Sequence, residues 1–408
     1  MTALCRFCAS PLRFVFADLG VQPLANSYVP AGEENLEQKT PLRVLVCETC
    51  FHVQTDETPA PETIFSNYAY LSSQSESWLE HARVYARSMI DRLGLTAQSF
   101  VLEVASNDGY LLQNFVKAGI PVLGVEPAEN VARIAEARGV PTRVAFFNAD
   151  TARRLASEGV SADLVAANNV LAHVPDIRSF VAGYHEILKP NGVTTFEFPH
   201  LLNLIKYNQF DTIYHEHFFY LSFVALEKIF ANAGLRVFHV ERLSTHGGSL
   251  RLFVCKEDAE QAGTAAVGAL KAAEAEAGLD RIAGYEGFQA KCEAIKADFL
   301  KFIGEARQKG WSVAAYGAAA KGNTLLNFCG AGNDVIRAVA DKSPEKQGKL
   351  LPGSHIPVVT PDALIEMKPD YVVILPWNLK EEIRKQLTTL EEQGARFVTA
   401  VPELEIVP

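Results

Sequence analysis

No stretch of the 408 residues approaches the roughly 18 consecutive apolar residues of a membrane span. The opening MTALCRFCAS lacks a basic stretch running into an apolar core, so it does not read as a secretory signal. Runs of Lys and Arg are missing too, and the net charge is −10, from 48 acidic and 38 basic residues. A nucleic-acid or anionic-membrane surface needs a basic patch, so neither partner is expected. A phosphorylated small molecule, bound locally, stays possible. Cysteine is sparse and uneven. Four of the seven form two CxxC pairs, and Cys255, Cys292 and Cys329 stand alone. An odd, scattered set without a signal is not a disulfide framework, which points to a cytoplasmic chain. GxGxxG, the P-loop and HExxH are absent where nucleotide or metal sites would use them.

What is present divides the chain in three. Residues 1–66 are proline-rich with little helical periodicity, and they hold Cys5, Cys8, Cys47 and Cys50. Each CxxC can wrap one face of a tetrahedral ion, and two close a four-thiolate shell with no open position, as in structural zinc. A core this small gains folding energy from the metal. The competing readings are reduced buried thiols or a redox pair. Residues 67–243 alternate apolar strands (VLEVA, VLGVEP, DLVAANNV, VTTFEFP) with amphipathic helices, the rhythm of a doubly wound α/β domain. Residues 244–408 return to that rhythm in WSVAAYGA, IRAVADK, DYVVILP and RFVTAV.

The stretch VLEVASNDGYLL reads strand, loop, helix start, the place where a doubly wound sheet seats a nucleotide-type ligand. Ala105, Ser106, Asn107 and Gly109 form the loop, and the next strand ends in Glu126, suited to ribose hydroxyls. One glycine stands where a dinucleotide fingerprint needs three. Glu103 and Asp108 suit an ammonium and sulfonium better than a diphosphate, so S-adenosylmethionine is favoured over nicotinamide. Asn168, Asn169 and His173 follow at the end of a third strand.

DTIYHEHFFYLS carries Asp211, Tyr214, His215, Glu216 and His217 against an aromatic run. His215 and His217 would share one side of an extended segment, but nothing completes a metal set, and a hydrogen-bonded structural turn is the plainer alternative. In the last third, AAYGAAAKGNTLLN offers Gly317 and Lys321 at a helix start, a seat for a diphosphate or a degenerate Rossmann copy kept for packing. HGGSLR offers His246, Ser249 and Arg251, the last able to grip phosphate in a bidentate manner.

Taken in order, ASNDGYLL, GVEPAENVA, NNVLAHVPD, EFPHLL, DTIYHEHFFYLS, HGGSLR, AAYGAAAKGNTLLN and DKSPEKQGKLLPGSHIPV resemble the sugar C-methyltransferases over nearly the whole chain. The resemblance implies a small zinc-binding domain, a central class I methyltransferase (Rossmann-like) domain binding S-adenosylmethionine, and a second Rossmann-like α/β domain for a nucleotide-linked keto-deoxysugar. It implies His217 as general base, Tyr214 on the sugar or enolate, and Glu216 orienting a neighbour and setting the working tautomer. It further implies His173 at the enolate oxygen and Tyr68, or less readily Tyr70, closing the site. His215 is left as structural.

Overall fold

The structure is a computed structural model that describes residues 3–56, 60 and 71–407. Its centre is a seven-stranded sheet in the order Leu235–Leu243, Ser249–Lys256, Leu188–Pro199, Ala162–Asn168, Val101–Val104, Val122–Glu126, Thr142–Val144. The last five run parallel, and Ser249–Lys256 enters antiparallel between its neighbours. This is the class I methyltransferase arrangement. Val101–Val104 is buried at every position because helices cover both faces, which is why it reads as a continuous apolar run. Chain order reverses beside it, so its carboxyl end is the topological switch point.

The helix Glu76–Leu93 covers one face. Ser75 caps it by accepting from the Trp78 amide, and Gly94 closes it in the left-handed region. Ala82, Tyr85, Ala86 and Met89 form its buried stripe, where each large apolar side chain contributes about 1.5–3 kcal/mol.

The cysteine-bearing unit is a sheet of Phe14–Pro23, Lys39–Val46 and Val53–Thr55. Its fourth strand, Phe219–Tyr220, comes from the DTIYHEHFFYLS segment. A six-stranded sheet built on Val313–Tyr316 forms the last third, parallel except at its Glu405–Val407 edge. These two units share one hydrophobic core, in which Phe16 stacks on Phe288 with ring centroids 4.3 Å apart.

The division read at 243/244 falls between two paired strands. Ser249–Lys256 pairs with Leu188–Pro199 and Leu235–Leu243, so the HGGSLR turn joins two strands of the central sheet. In space the central unit runs on to Lys256, because a buried strand needs partners on both sides. Among the described residues, no helix is long and apolar enough to cross a membrane.

Candidate active site

The cofactor loop leaves the switch point on a strained backbone. Ala105 (φ 56°) and Asn107 (φ 48°) occupy the left-handed region that side chains avoid. Gly109 (φ 78°) must lack a side chain, since a Cβ there would meet Val140 at 3.0 Å. The loop is tied down by Glu126, whose two carboxylate oxygens accept from the Asn107 and Ala128 amides, each at 2.9 Å. Each oxygen keeps a further lone pair. Asn107 also accepts from the Ser72 amide at 2.9 Å, joining the loop to the segment before the first helix.

The polar groups here lack ordinary compensation. Burial pushes the Glu103 carboxyl well above the usual range, and Glu126 and Asp108 add repulsion. Among the described residues, the buried Asn168 side-chain amide makes no hydrogen bond of normal geometry. A ligand carrying a positive charge and hydrogen-bonding groups answers both features, as S-adenosylmethionine does. Ala105, Ser106, Asn107, Gly109, Glu126 and Asn168 all lie at the carboxyl ends of adjacent strands or in the loop that follows.

Beyond it lies the YHEH turn. His217 Nδ1 lies 2.8 Å from the Thr212 carbonyl oxygen, which can only accept. The proton is therefore on Nδ1, and Nε2 presents a lone pair. Burial holds the imidazole well below its ordinary value, with His173, His246 and Lys321 adding repulsion. Tyr214 lies over the His217 ring with centroids 4.0 Å apart, and His173 is 4.8 Å away. His217 is thus neutral near pH 7 and held in the tautomer a base requires.

His173 differs from the role implied for it. Its Nδ1 donates to the Glu216 carbonyl oxygen at 2.7 Å, and burial lowers its pKa to about 4. The proton of this neutral ring is therefore given to a backbone carbonyl. Glu216 hydrogen-bonds a neighbour but does not set a tautomer: its carboxylate accepts from the Asn26 amide and side chain, both at 3.1 Å, and among the described residues it bonds neither imidazole. The Thr212 and Glu216 backbone carbonyls set the two tautomers. His215 bonds to Thr40 at 2.9 Å, joining the turn to the cysteine-bearing unit. Tyr68 and Tyr70 lie outside the described residues.

The HGG turn brings His246, in the left-handed region, 3.4 Å from the Asn169 amide and against Trp78. Trp78 stacks on His81 and Tyr110, and no motif in the sequence marked it as a site residue. Ser249 and Arg251 are corrections. Ser249 is buried and its hydroxyl donates to the Thr245 carbonyl at 3.0 Å. Arg251 is 5% exposed, bonded to Glu197 at 2.7 Å and Glu241 at 3.1 Å, with its guanidinium over Tyr85. Both are buried and held by protein partners rather than facing a cleft.

The diphosphate seat at Gly317 is also corrected. The amides of Gly317, Ala318 and Ala319 already donate to Ala340, Asp341 and Gly317 oxygens, at 2.7, 2.8 and 2.8 Å. A Cβ at Gly317 would lie 2.4 Å from Pro376, so its glycine serves packing. Lys321 instead donates to Asn378 at 2.7 Å and lies over the Trp377 ring.

At the other end, the sulfurs of Cys5, Cys8, Cys47 and Cys50 all lie within 4.8 Å of one another. Cys5–Cys50 and Cys8–Cys47 are 3.6 and 3.4 Å apart, close to the ~3.8 Å edge of a tetrahedron with Zn–S near 2.3 Å. The residues fit a closed structural zinc shell.

Family models match in the same three parts: a zinc binding domain over residues 5–65, a methyltransferase domain over 78–240, and a C-methyltransferase C-terminal domain over 244–402. The C-methyltransferase NovU of Streptomyces niveus is 36% identical over 407 residues, covering 99% of this chain and 96% of that protein. The chain belongs to the C-methyltransferase family. A ubiquinone biosynthesis O-methyltransferase of Bordetella avium is 33% identical over 98 residues, covering 24% of this C-methyltransferase and 41% of that enzyme. Among solved structures, the magnesium protoporphyrin IX methyltransferase of Synechocystis PCC 6803 covers 44% of this chain and 83% of its own, at 14% identity and a TM-score of 0.36. This C-methyltransferase is thus an S-adenosylmethionine-dependent enzyme with structural zinc.

Proposed function

We propose that the enzyme methylates carbon next to the ketone of a nucleotide-linked 4-keto deoxysugar, with C-3 as the carbon and TDP as the carrier. The observation that carries this reading is the His217 tautomer: a neutral imidazole, Nδ1–H on the Thr212 carbonyl, and a basic Nε2 beside Tyr214. Carbon is not nucleophilic until it loses a proton. A C–H beside a carbonyl is the accessible choice because the charge spreads to oxygen. His217 Nε2 takes that proton, and Tyr214 hydrogen-bonds the sugar. Burial keeps the site dry, which strengthens every charge interaction in it. S-adenosylmethionine supplies the electrophilic methyl group. Glu216 holds the turn to Asn26. The three parts of the chain would then be a zinc unit, a cofactor unit and a sugar-nucleotide unit.

The test is mass spectrometry of purified enzyme with S-adenosylmethionine and a panel of TDP- and GDP-linked 4-keto deoxysugars. The expected product is one methylene heavier, and His217→Ala abolishes it. Absence of product across the panel, with cofactor still bound, would transfer the assignment to an oxygen or nitrogen acceptor.

A further inference from the structure

We infer that Trp377, from the last unit, is a positioning residue for methyl transfer: it holds the turn whose Thr212 carbonyl fixes the His217 tautomer. This deepens the proposed function and rests on its reading of His217 as the base.

Trp377 follows the strand Tyr371–Ile374, which pairs with the first strand of its sheet, Val313–Tyr316. Its backbone is set locally. The Leu375 amide donates to the Tyr316 carbonyl and the Trp377 amide to the Leu375 carbonyl, each at 3.0 Å, while Pro376 packs on Gly317. The side chain then leaves its own unit. The indole N–H donates to the buried Asp211 carboxylate at 2.7 Å. The far edge of the ring abuts the HGG turn, where a Cβ on Gly247 would lie 2.5 Å from it. Gln209, two residues before Asp211, donates to the Gly247 carbonyl at 2.9 Å and closes the same junction. The Lys321 ammonium covers a ring face at 4.6 Å. N–H, edge and face are thus taken by protein, so the indole is a wedge between two turns rather than a platform for a ligand.

What the wedge controls follows from peptide geometry. Asp211 is the middle residue of the short helical turn Phe210–Thr212. The Thr212 carbonyl and the Ile213 N–H belong to one planar peptide. That N–H is spent inside the turn, on the Phe210 carbonyl at 2.9 Å. The turn therefore dictates where the Thr212 carbonyl points, and it points at His217 Nδ1, 2.8 Å away. A single tight turn has few hydrogen bonds of its own, so its side-chain anchors decide its orientation. The last unit supplies two. Besides Trp377 on Asp211, the Thr324 hydroxyl donates to the Ile213 carbonyl at 2.9 Å. Loss of the indole N–H takes a donor from a buried carboxylate, and the turn must move for Asp211 to find another.

The test reads tautomer and rate on the zinc-bound enzyme. Ring-nitrogen NMR of isotope-labelled histidines, with His217 assigned from His217→Gln, reports which nitrogen bears the proton. Methyl transfer is followed with whichever keto-sugar nucleotide the wild type accepts. The wild type is expected to hold the Nδ1–H form. Trp377→Phe, which keeps a ring but not the donor, is expected to populate both forms and to lower kcat by about 10- to 100-fold, with KM for S-adenosylmethionine within about twofold. Asp211→Asn keeps an oxygen for the indole and is expected to retain the tautomer and most of the rate. Should Trp377→Phe not fold, Asp211→Ala, which deletes the acceptor and leaves no buried charge, is read in its place with the same expectation. A wild-type tautomer in the variant overturns the inference whatever the rate, and a raised KM for the sugar beside it would make the indole a ligand contact. Mixed tautomers with undiminished kcat overturn it as well, as does an Asp211→Asn enzyme as impaired as Trp377→Phe. If the wild type methylates no keto sugar, the proposed acceptor falls, while the tautomer comparison still decides the role of Trp377.

Discussion

At the scale of single residues, the chemistry is decided by which nitrogen carries a proton. The backbone carbonyls of Thr212 and Glu216 fix this for His217 and His173. His217→Ala is expected to cost at least about 100-fold in kcat/KM, measured as methyl transfer. Because His217 is held below its ordinary value, the base stays neutral, and therefore competent, as pH falls past 6.5. The acid limb of kcat/KM is expected below that value, and a limb near 7 would remove His217 as the base. Arg251 makes a different prediction. Arg251→Met leaves Glu197 buried without its cation, so stability should drop by about 3 kcal/mol in denaturant titration. KM for the sugar should not change. A raised KM with intact stability would return Arg251 to the phosphate.

At the scale of elements, the YHEH turn is held from two sides. Its trailing strand Phe219–Tyr220 pairs with Val53–Thr55 of the zinc unit, and His215 reaches Thr40. Removing the metal should thus loosen the catalytic turn along with the zinc unit. Metal analysis is expected to find one zinc per chain, and Cys47→Ser should lose both the zinc and most of the methyl transfer. A zinc-free variant with full activity would show that the unit is dispensable for holding the turn. The CxxC spacing made this metal legible, because thiolate chemistry is local. The pairing with Phe219–Tyr220 was not legible, because a two-residue strand has no periodicity to read.

At the scale of the whole molecule, two imidazoles are half-buried in the cleft region. His173 is lowered to about 4, and His217 is held well below 6.5. The unfolded chain then binds more protons than the native one below pH 6.5, so these groups withdraw stability as pH falls from 6.5 toward 4. Asp211, raised to about 6, has the opposite sign: its contribution is present in acid and lost as pH rises from 3.8 through 6. The raised carboxyls of Glu103, Glu126 and Glu216 share its sign. The imidazole contribution is isolated by His173→Gln, which is expected to raise the denaturant midpoint relative to wild type as pH falls from 6.5 to 4. A midpoint difference that does not change with pH would mean that His173 is not desolvated in solution.

What the sequence by itself determined is local chemistry and period. It placed the strand ends that bear Ala105, Glu126 and Asn168, the four cysteines, and the run of side chains from Tyr214 to His217. Each of those depends on neighbours a few residues away. Only the tertiary structure decided which polar groups are free to act. Arg251 and Ser249 looked available until the central sheet buried them against Glu197 and Thr245. The Gly317 loop looked like a phosphate seat until its amides found Ala340 and Asp341. Lys321 is claimed instead by Trp377 and Asn378, which lie far from it in sequence. The physical reason is that a hydrogen bond or a charge has one effective partner set, and the long-range contacts of the fold choose it.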